Sequence, residues 1–221
     1  MGESTVASYN DPITIELMAQ DTIALIKHLG IKRFGLFGTN MGARIALTVA
    51  LNLPSDYKLE KLVVNSCAPR IDITTPTFQR IEKLYQSSGN PLPNNIQDEK
   101  DRLLKNEFDK DFAKYLLEHP DVLDKIAETV VNKFDSRPLE MMKRQWEAIK
   151  TCDLFPRLKE IKVPTLVIHA ENDTLFSIKD AELLKQELPN SKLYNIPNMG
   201  NNIFVMERET TANVISEFLN N

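Results

Sequence analysis

After a polar opening, the chain settles into a helical hydrophobic rhythm behind Asp11-Pro12, with Met18, Thr22, Leu25 and Leu29 on one stripe. That spacing, with a start signal upstream, predicts a helix over 14–29 that Gly30 ends. The period then changes. Arg33-Phe34-Gly35-Leu36-Phe37-Gly38 reads as a short buried strand running into a turn. Met41 to Leu51, with Ile45 and Val49 four apart and Ala46 and Ala50 beside them, returns to the 3.6-residue period. Leu59–Asn65 and Pro164–His169 are two more apolar runs of strand length, and Lys192–Ile196 is a weaker one. Strands alternating with helices predict an α/β protein, a mostly parallel sheet with helices on both faces.

The segment 74–150 interrupts this alternation with helical stripes alone. Phe78, Ile81, Leu84 and Tyr85 form one; Leu123, Ile126, Ala127, Val130, Val131 and Phe134 a second; Leu139, Met142, Trp146 and Ile149 a third. Ser87–Asn95 is the clear loop among them. From Gln97 to Lys114 the charges alternate in sign, which predicts an exposed helix face laced with i,i+4 pairs. The expected organisation is a core of 1–73 and 151–221, with 74–150 as a helical cap (lid) inserted over one edge of the sheet. Amphipathic helices at Ala181–Leu188 and Thr210–Leu219 close the core.

Composition narrows the function classes. With 221 residues, 42% hydrophobic and 26% charged, the chain can build a sizeable core. Its 27 Lys and Arg against 31 Asp and Glu leave a formal charge of −4, so neither nucleic acid nor an acidic membrane surface is an expected partner. No run approaches the roughly 20 apolar residues of a spanning helix. Cys67 and Cys152 could make one bridge at most. The opening MGESTVASYN lacks both a basic start and an apolar run, which points to a reducing, cytoplasmic location. No metal or cofactor site is expected.

Three of the seven glycines, Gly35, Gly38 and Gly42, fall close together at a strand-to-helix turn. There, Gly38-Thr39-Asn40-Met41-Gly42 has the form of the G-x-S-x-G nucleophile elbow with its central residue changed. The turn is so sharp that both flanking positions are expected to be glycine for steric reasons. Asn40 is expected at positive φ, a conformation asparagine tolerates, so that it relieves strain a serine would carry.

Around this motif the chain resembles the α/β-hydrolase superfamily. Ile15–Asp21 and His28–Ile31 look like the helix before the elbow strand, and Leu62–Ser66 with Pro69-Arg70 like the next strand. Val163–His169 with Glu171-Asn172-Asp173 looks like the strand and loop bearing the triad acid. Ile196–Asn202, followed by Glu207 and Glu209, looks like the loop bearing the triad histidine. The stretch from Cys67 to the helix containing Ile81 is similar to lactonases of the 3-oxoadipate enol-lactonase type. The resemblance places the three triad positions at Asn40, Asp173 and Asn201.

Two of these residues cannot do the chemistry. A carboxamide at Asn40 has no hydroxyl, thiol or carboxylate with which to attack a carbonyl. Asn201 hydrogen-bonds but takes up no proton near neutral pH. The chain also starts where the family has already passed its first strands, so the resemblance implies that one oxyanion-hole amide is missing. In a working triad, losing the serine or the histidine costs about 2 × 10⁶ in turnover. The sequence therefore reads as a catalytically degenerate α/β-hydrolase-like protein, a non-hydrolytic module for a small apolar ligand or a protein partner. The alternative is an active carboxylic ester hydrolase or lactonase with a non-standard nucleophile and base.

Met41, Cys67, Arg70 and Trp146 are the candidate ligand-pocket residues. Cys67 stands at the C-terminal end of a strand, the side where ligands of open sheets collect, and a Cys67, His169, Asp173 set would give the alternative its nucleophile and base. His169 reads first as a core residue, Arg44 and Arg70 as solvated arginines, and Trp146 as part of the cap's own core. Without the family's preceding strands, Phe34–Phe37 would be an unpaired sheet edge, through which a homo-oligomer could form.

Overall fold

Four parallel strands in the order β1-β2-β3-β4 form the sheet: β1 (Arg33–Thr39), β2 (Lys58–Asn65), β3 (Thr165–Ala170) and β4 (Ser191–Ile196). They are seen in a computed structural model that describes residues 11–86, 95–105, 110–134 and 139–221. The expected loop residues 87–94 and the side chains of Leu84, Tyr85, Phe134 and Leu139 lie outside the described ones.

Side-chain alternation explains why β2 and β3 are buried from both sides. Leu62 and Val64 of β2 and Val167 of β3 point to one face, where they meet α2 (Met41–Asn52) and α8 (Ile178–Glu187) through Ala43, Ala46, Leu47, Ala181 and Leu184. Val63, Leu166, Ile168 and Ala170 point to the other, against Ile203 of α9 (Ile203–Met206) and Val214, Ile215 and Phe218 of α10 (Arg208–Asn220). The fold is thus α/β, a parallel sheet with helices on both faces. Period two in a doubly covered strand gives a continuous apolar run, the pattern seen in the sequence.

The first helix, α1 (Ile15–His28), lies within one residue of the expected 14–29 at each end. Its N-cap is Thr14, whose hydroxyl oxygen accepts the Leu17 N–H at 3.0 Å. Gly30 follows its end at φ 67, where a side chain would be strained. Its buried face also differs from the expected stripe. Ile15, Ala19, Ile23 and Ile26 are inside, whereas Leu25 and Leu29 are 57% and 59% exposed. Two apolar stripes share this helix, and packing against α2 through Ile45 and Val49 selects the isoleucine one.

By contact the described residues form two units, 11–12 with 72–147, and 13–71 with 148–221. The first holds α3 (Pro76–Gln86), α4 (Ile96–Leu104), α5 (Lys110–Glu118), α6 (Pro120–Phe134) and most of α7 (Leu139–Thr151). Leu103, Phe112, Leu116, Leu123 and Ala127 make its interior. The alternating charges of 97–114 are not simply a solvated face. Glu99 is fully buried, its carboxylate taking a two-pronged bond from Arg102 one turn along. The expected i,i+4 pairing is present at Asp101–Lys105, 3.3 Å apart.

Within the second unit, β1 pairs only with β2 among the described residues, making it an edge strand. Phe37 projects from it 46% exposed, edge-on to Phe204 at 5.3 Å. A cavity of about 770 Å³ opens beside it, lined by Gly35, Phe37, Lys61, Ile215 and Leu219 among others. No candidate site residue lines that cavity.

Candidate active site

A single residue, Asn40, carries the chain from β1 into α2, at φ 52 and ψ −117. Its N–H donates to the Asn65 carbonyl at 3.0 Å, and its carbonyl accepts from the Ala43 N–H at 3.1 Å. Asn65 also donates from Nδ2 to the Thr39 hydroxyl at 2.9 Å, so the end of β1 and the elbow are both tied to β2. A Cβ on Gly38 would lie 2.2 Å from the Gly42 carbonyl oxygen, so no side chain fits there. At Gly42 a Cβ would meet nothing within 4 Å. The expectation that both glycines answer the same steric need is corrected: it is the backbone at Gly42 that crowds Gly38.

The strain argument for Asn40 is corrected as well. Asparagine is tolerated in the left-handed basin near ψ +47°, and ψ −117 is far from it. The side chain caps nothing, and its Oδ1 is buried without a hydrogen-bond partner. The strained elbow is kept, not relaxed. Asn40→Gly should therefore raise unfolding stability by about 1 kcal/mol, read as a higher urea midpoint at unchanged slope.

Asp173 follows β3 and is buried at the C-terminal end of the sheet. Its Oδ2 accepts the Asn201 amide N–H at 3.0 Å and the Ser66 hydroxyl at 2.7 Å; its Oδ1 accepts the backbone N–H groups of Leu175 at 2.8 Å and Phe176 at 3.1 Å. Asp173 and Asn201, paired only by resemblance in the sequence, are in direct hydrogen-bond contact. Ser66, which sequence reasoning missed, joins them at φ 47 directly after β2. The available signal was a small hydroxyl residue at the C-terminal tip of a buried strand. Asn40 makes no side-chain hydrogen bond to this cluster among the described residues. Chemically the arrangement is a carboxylate held by four donors, one of them a side-chain amide that takes up no proton near neutral pH.

The alternative set does not assemble. The Cys67 thiol is buried and donates to the Ala68 carbonyl at 3.4 Å; burial pushes its pKa up to about 11, against the opposing pull of the Arg44 charge. His169 is also buried, and neither ring nitrogen has a hydrogen-bond partner. Burial lowers its pKa from 6.5, outweighing the carboxylates of Asp173 and Asp180, which raise it. A lowered folded-state pKa means the unfolded chain binds more protons below pH 6.5. The stability from burying neutral His169 is complete above that pH and falls as pH drops toward the folded-state pKa. Urea titrations from pH 7 downward should show this loss, and His169→Leu should flatten it.

Met41 is half-buried against the core under α2. Arg70 is exposed, its guanidinium 5.0 Å above the Phe155 ring. Trp146 lies in the other unit, stacked on Phe78 at 5.7 Å, with its indole N–H donating to the Glu82 carboxylate. Arg44 is not solvated, as the sequence suggests, but 1% exposed. Among the described residues no group of three or more His, Cys, Asp or Glu could hold a metal ion, and no helix is long and apolar enough to cross a membrane.

A strand, a sharp elbow at positive φ and a buried acid after the strand two places along the sheet define a class of protein, and sequence comparison agrees. The family model for the alpha/beta hydrolase fold matches residues 1–207, and the chain belongs to that family. The AB hydrolase superfamily protein YisY of Bacillus subtilis is 27% identical over 223 residues, covering 93% of this chain and 73% of its own length. 3-Oxoadipate enol-lactonase 2 of Acinetobacter baylyi is 22% identical over 182 residues, covering 82% of this chain and 62% of its own. The crystal structure of the enol-lactonase from Burkholderia xenovorans superposes with a TM-score of 0.77 at 22% identity, over 100% of this chain and 78% of that one.

Proposed function

We propose that this member of the α/β-hydrolase family binds a small acyl-type molecule, an ester or lactone with an apolar body, without hydrolysing it. The supporting observation is the Asn201 amide donating to Asp173 at 3.0 Å. The place of a general base is taken by an amide that donates a hydrogen bond to the acid, as an imidazole would, but takes up no proton from a nucleophile. Asn40 at the elbow supplies no attacking atom. The ligand class follows from the names of the relatives, an enol-lactonase among them.

A fluorophosphonate probe followed by intact-mass measurement tests this reading. No adduct is expected, together with background cleavage of short acyl esters and a raised melting temperature on adding a bound ester or lactone. A stoichiometric covalent adduct would refute it.

A further inference from the structure

Arg44 heads the largest fully buried side chains of the described residues. It leaves the first turn of α2, and its charge acts on Cys67 and Cys152 of the core cluster. Its Nη1 donates to the Cys152 carbonyl at 3.2 Å. Its Nε and Nη2 are buried and have no hydrogen-bond partner. These two nitrogens form one edge of the guanidinium, where their N–H bonds run side by side and can converge on a single acceptor.

The charge on that group is permanent, because arginine does not lose its proton in proteins. The carboxylates of Glu16 and Asp153 act on the neighbouring Cys152 from a distance. Among the described residues, no carboxylate is paired with Arg44. Asp180, the acidic residue that acts on Cys67 and His169, is engaged by the Ser177 N–H and hydroxyl, each at 2.8 Å. Burial pushes both the Cys67 and the Cys152 thiols upward, outweighing the Arg44 charge on each and the side-chain hydrogen bond from Arg44 to Cys152, so neither supplies negative charge at pH 7. A buried cation with an unused donor edge is strongly disfavoured unless an anion meets it.

We infer that the Nε–Nη2 edge of Arg44 holds a small monovalent anion of the halide class, chloride, within the core beside Cys67 and Cys152. The site is independent of the silent-hydrolase reading, since no triad position takes part. A halide suits it because one sphere accepts both N–H groups and needs no donor in return from an apolar wall.

The test is calorimetric melting of the purified chain at constant ionic strength, exchanging gluconate for chloride from about 1 to about 200 mM. The melting temperature should rise by about 3 °C across that range, and Arg44→Met should remove the response whatever its own stability. Crystals of the unaltered chain grown in bromide should show an anomalous peak within about 3.5 Å of Nε and Nη2, which decides the matter even if Arg44→Met does not fold. An equal chloride response in both proteins, no response in the unaltered chain, or no bromide peak at Arg44 would overturn the site. So would titration of Cys152 as a thiolate near neutral pH, which would place the counter-charge in the protein itself.

Discussion

Gly38→Ala is expected to abolish or nearly abolish folding, while Gly42→Ala, four positions on, leaves stability within about 1 kcal/mol of the parent. The contrast follows from what each new methyl group meets. At Gly38 the Cβ would fall 2.2 Å from a carbonyl oxygen and 2.5 Å from its carbon, both main-chain atoms of the helix start. Main chain cannot rotate aside as a side chain can, so the elbow must open and the Asn40–Asn65 bond to β2 must lengthen. We expect a loss of about 3 kcal/mol or more, a large share of the total for a domain of this size. At Gly42 the methyl group enters open space, and alanine is the better helix former. Urea unfolding of the two variants side by side is the measurement. Equal midpoints would show that the strand-to-helix approach is looser than these distances indicate.

Asp173→Ala should be the second costly change, by about 3–5 kcal/mol. One carboxylate satisfies the Ser66 hydroxyl, the Asn201 amide and the N–H groups of Leu175 and Phe176. Each buried donor left without an acceptor costs about 1–3 kcal/mol, with incomplete additivity because the four share one partner. Asp173→Asn keeps an acceptor for the two backbone groups but turns an NH₂ toward Ser66 and Asn201. The serine can rotate to accept, so about half the loss should be recovered. A thermal scan of the three proteins should rank them parent, Asn, Ala. An Ala variant within about 1 kcal/mol of the parent would mean that water replaces the carboxylate freely.

The strands were legible because each is a short apolar run between turn residues. All four lie within one or two residues of the positions read from sequence. The elbow and the Asp173–Asn201 contact were legible through resemblance, since the motif fixes local backbone and the loops arrive at strand ends. What escaped depends on distant chain. Arg44 sits on an amphipathic helix where a charge ordinarily faces water, and its burial is set by the carbonyl of a residue 108 positions away. Ser66 gains its role from an aspartate 107 positions away. Neither partner is implied by local spacing. The face of α1 was misread for a related reason: two apolar stripes compete there, and only packing against α2 chooses between them.

The insertion of a helical unit between β2 and β3 has a kinetic corollary. These two strands are hydrogen-bonded neighbours, from Leu62 against Thr165 to Asn65 against Ile168, yet about a hundred residues separate them along the chain. Joining their ends carries a loop-closure entropy that grows only with the logarithm of that length, about 0.6 kcal/mol for each doubling. Helices between β2 and β3 could therefore be lengthened or trimmed during evolution at little thermodynamic penalty to the sheet. The same separation makes the β2–β3 ladder the highest contact-order pairing of the sheet, so its zipping, rather than the adjacent β1–β2 crossover, should govern how fast the core assembles.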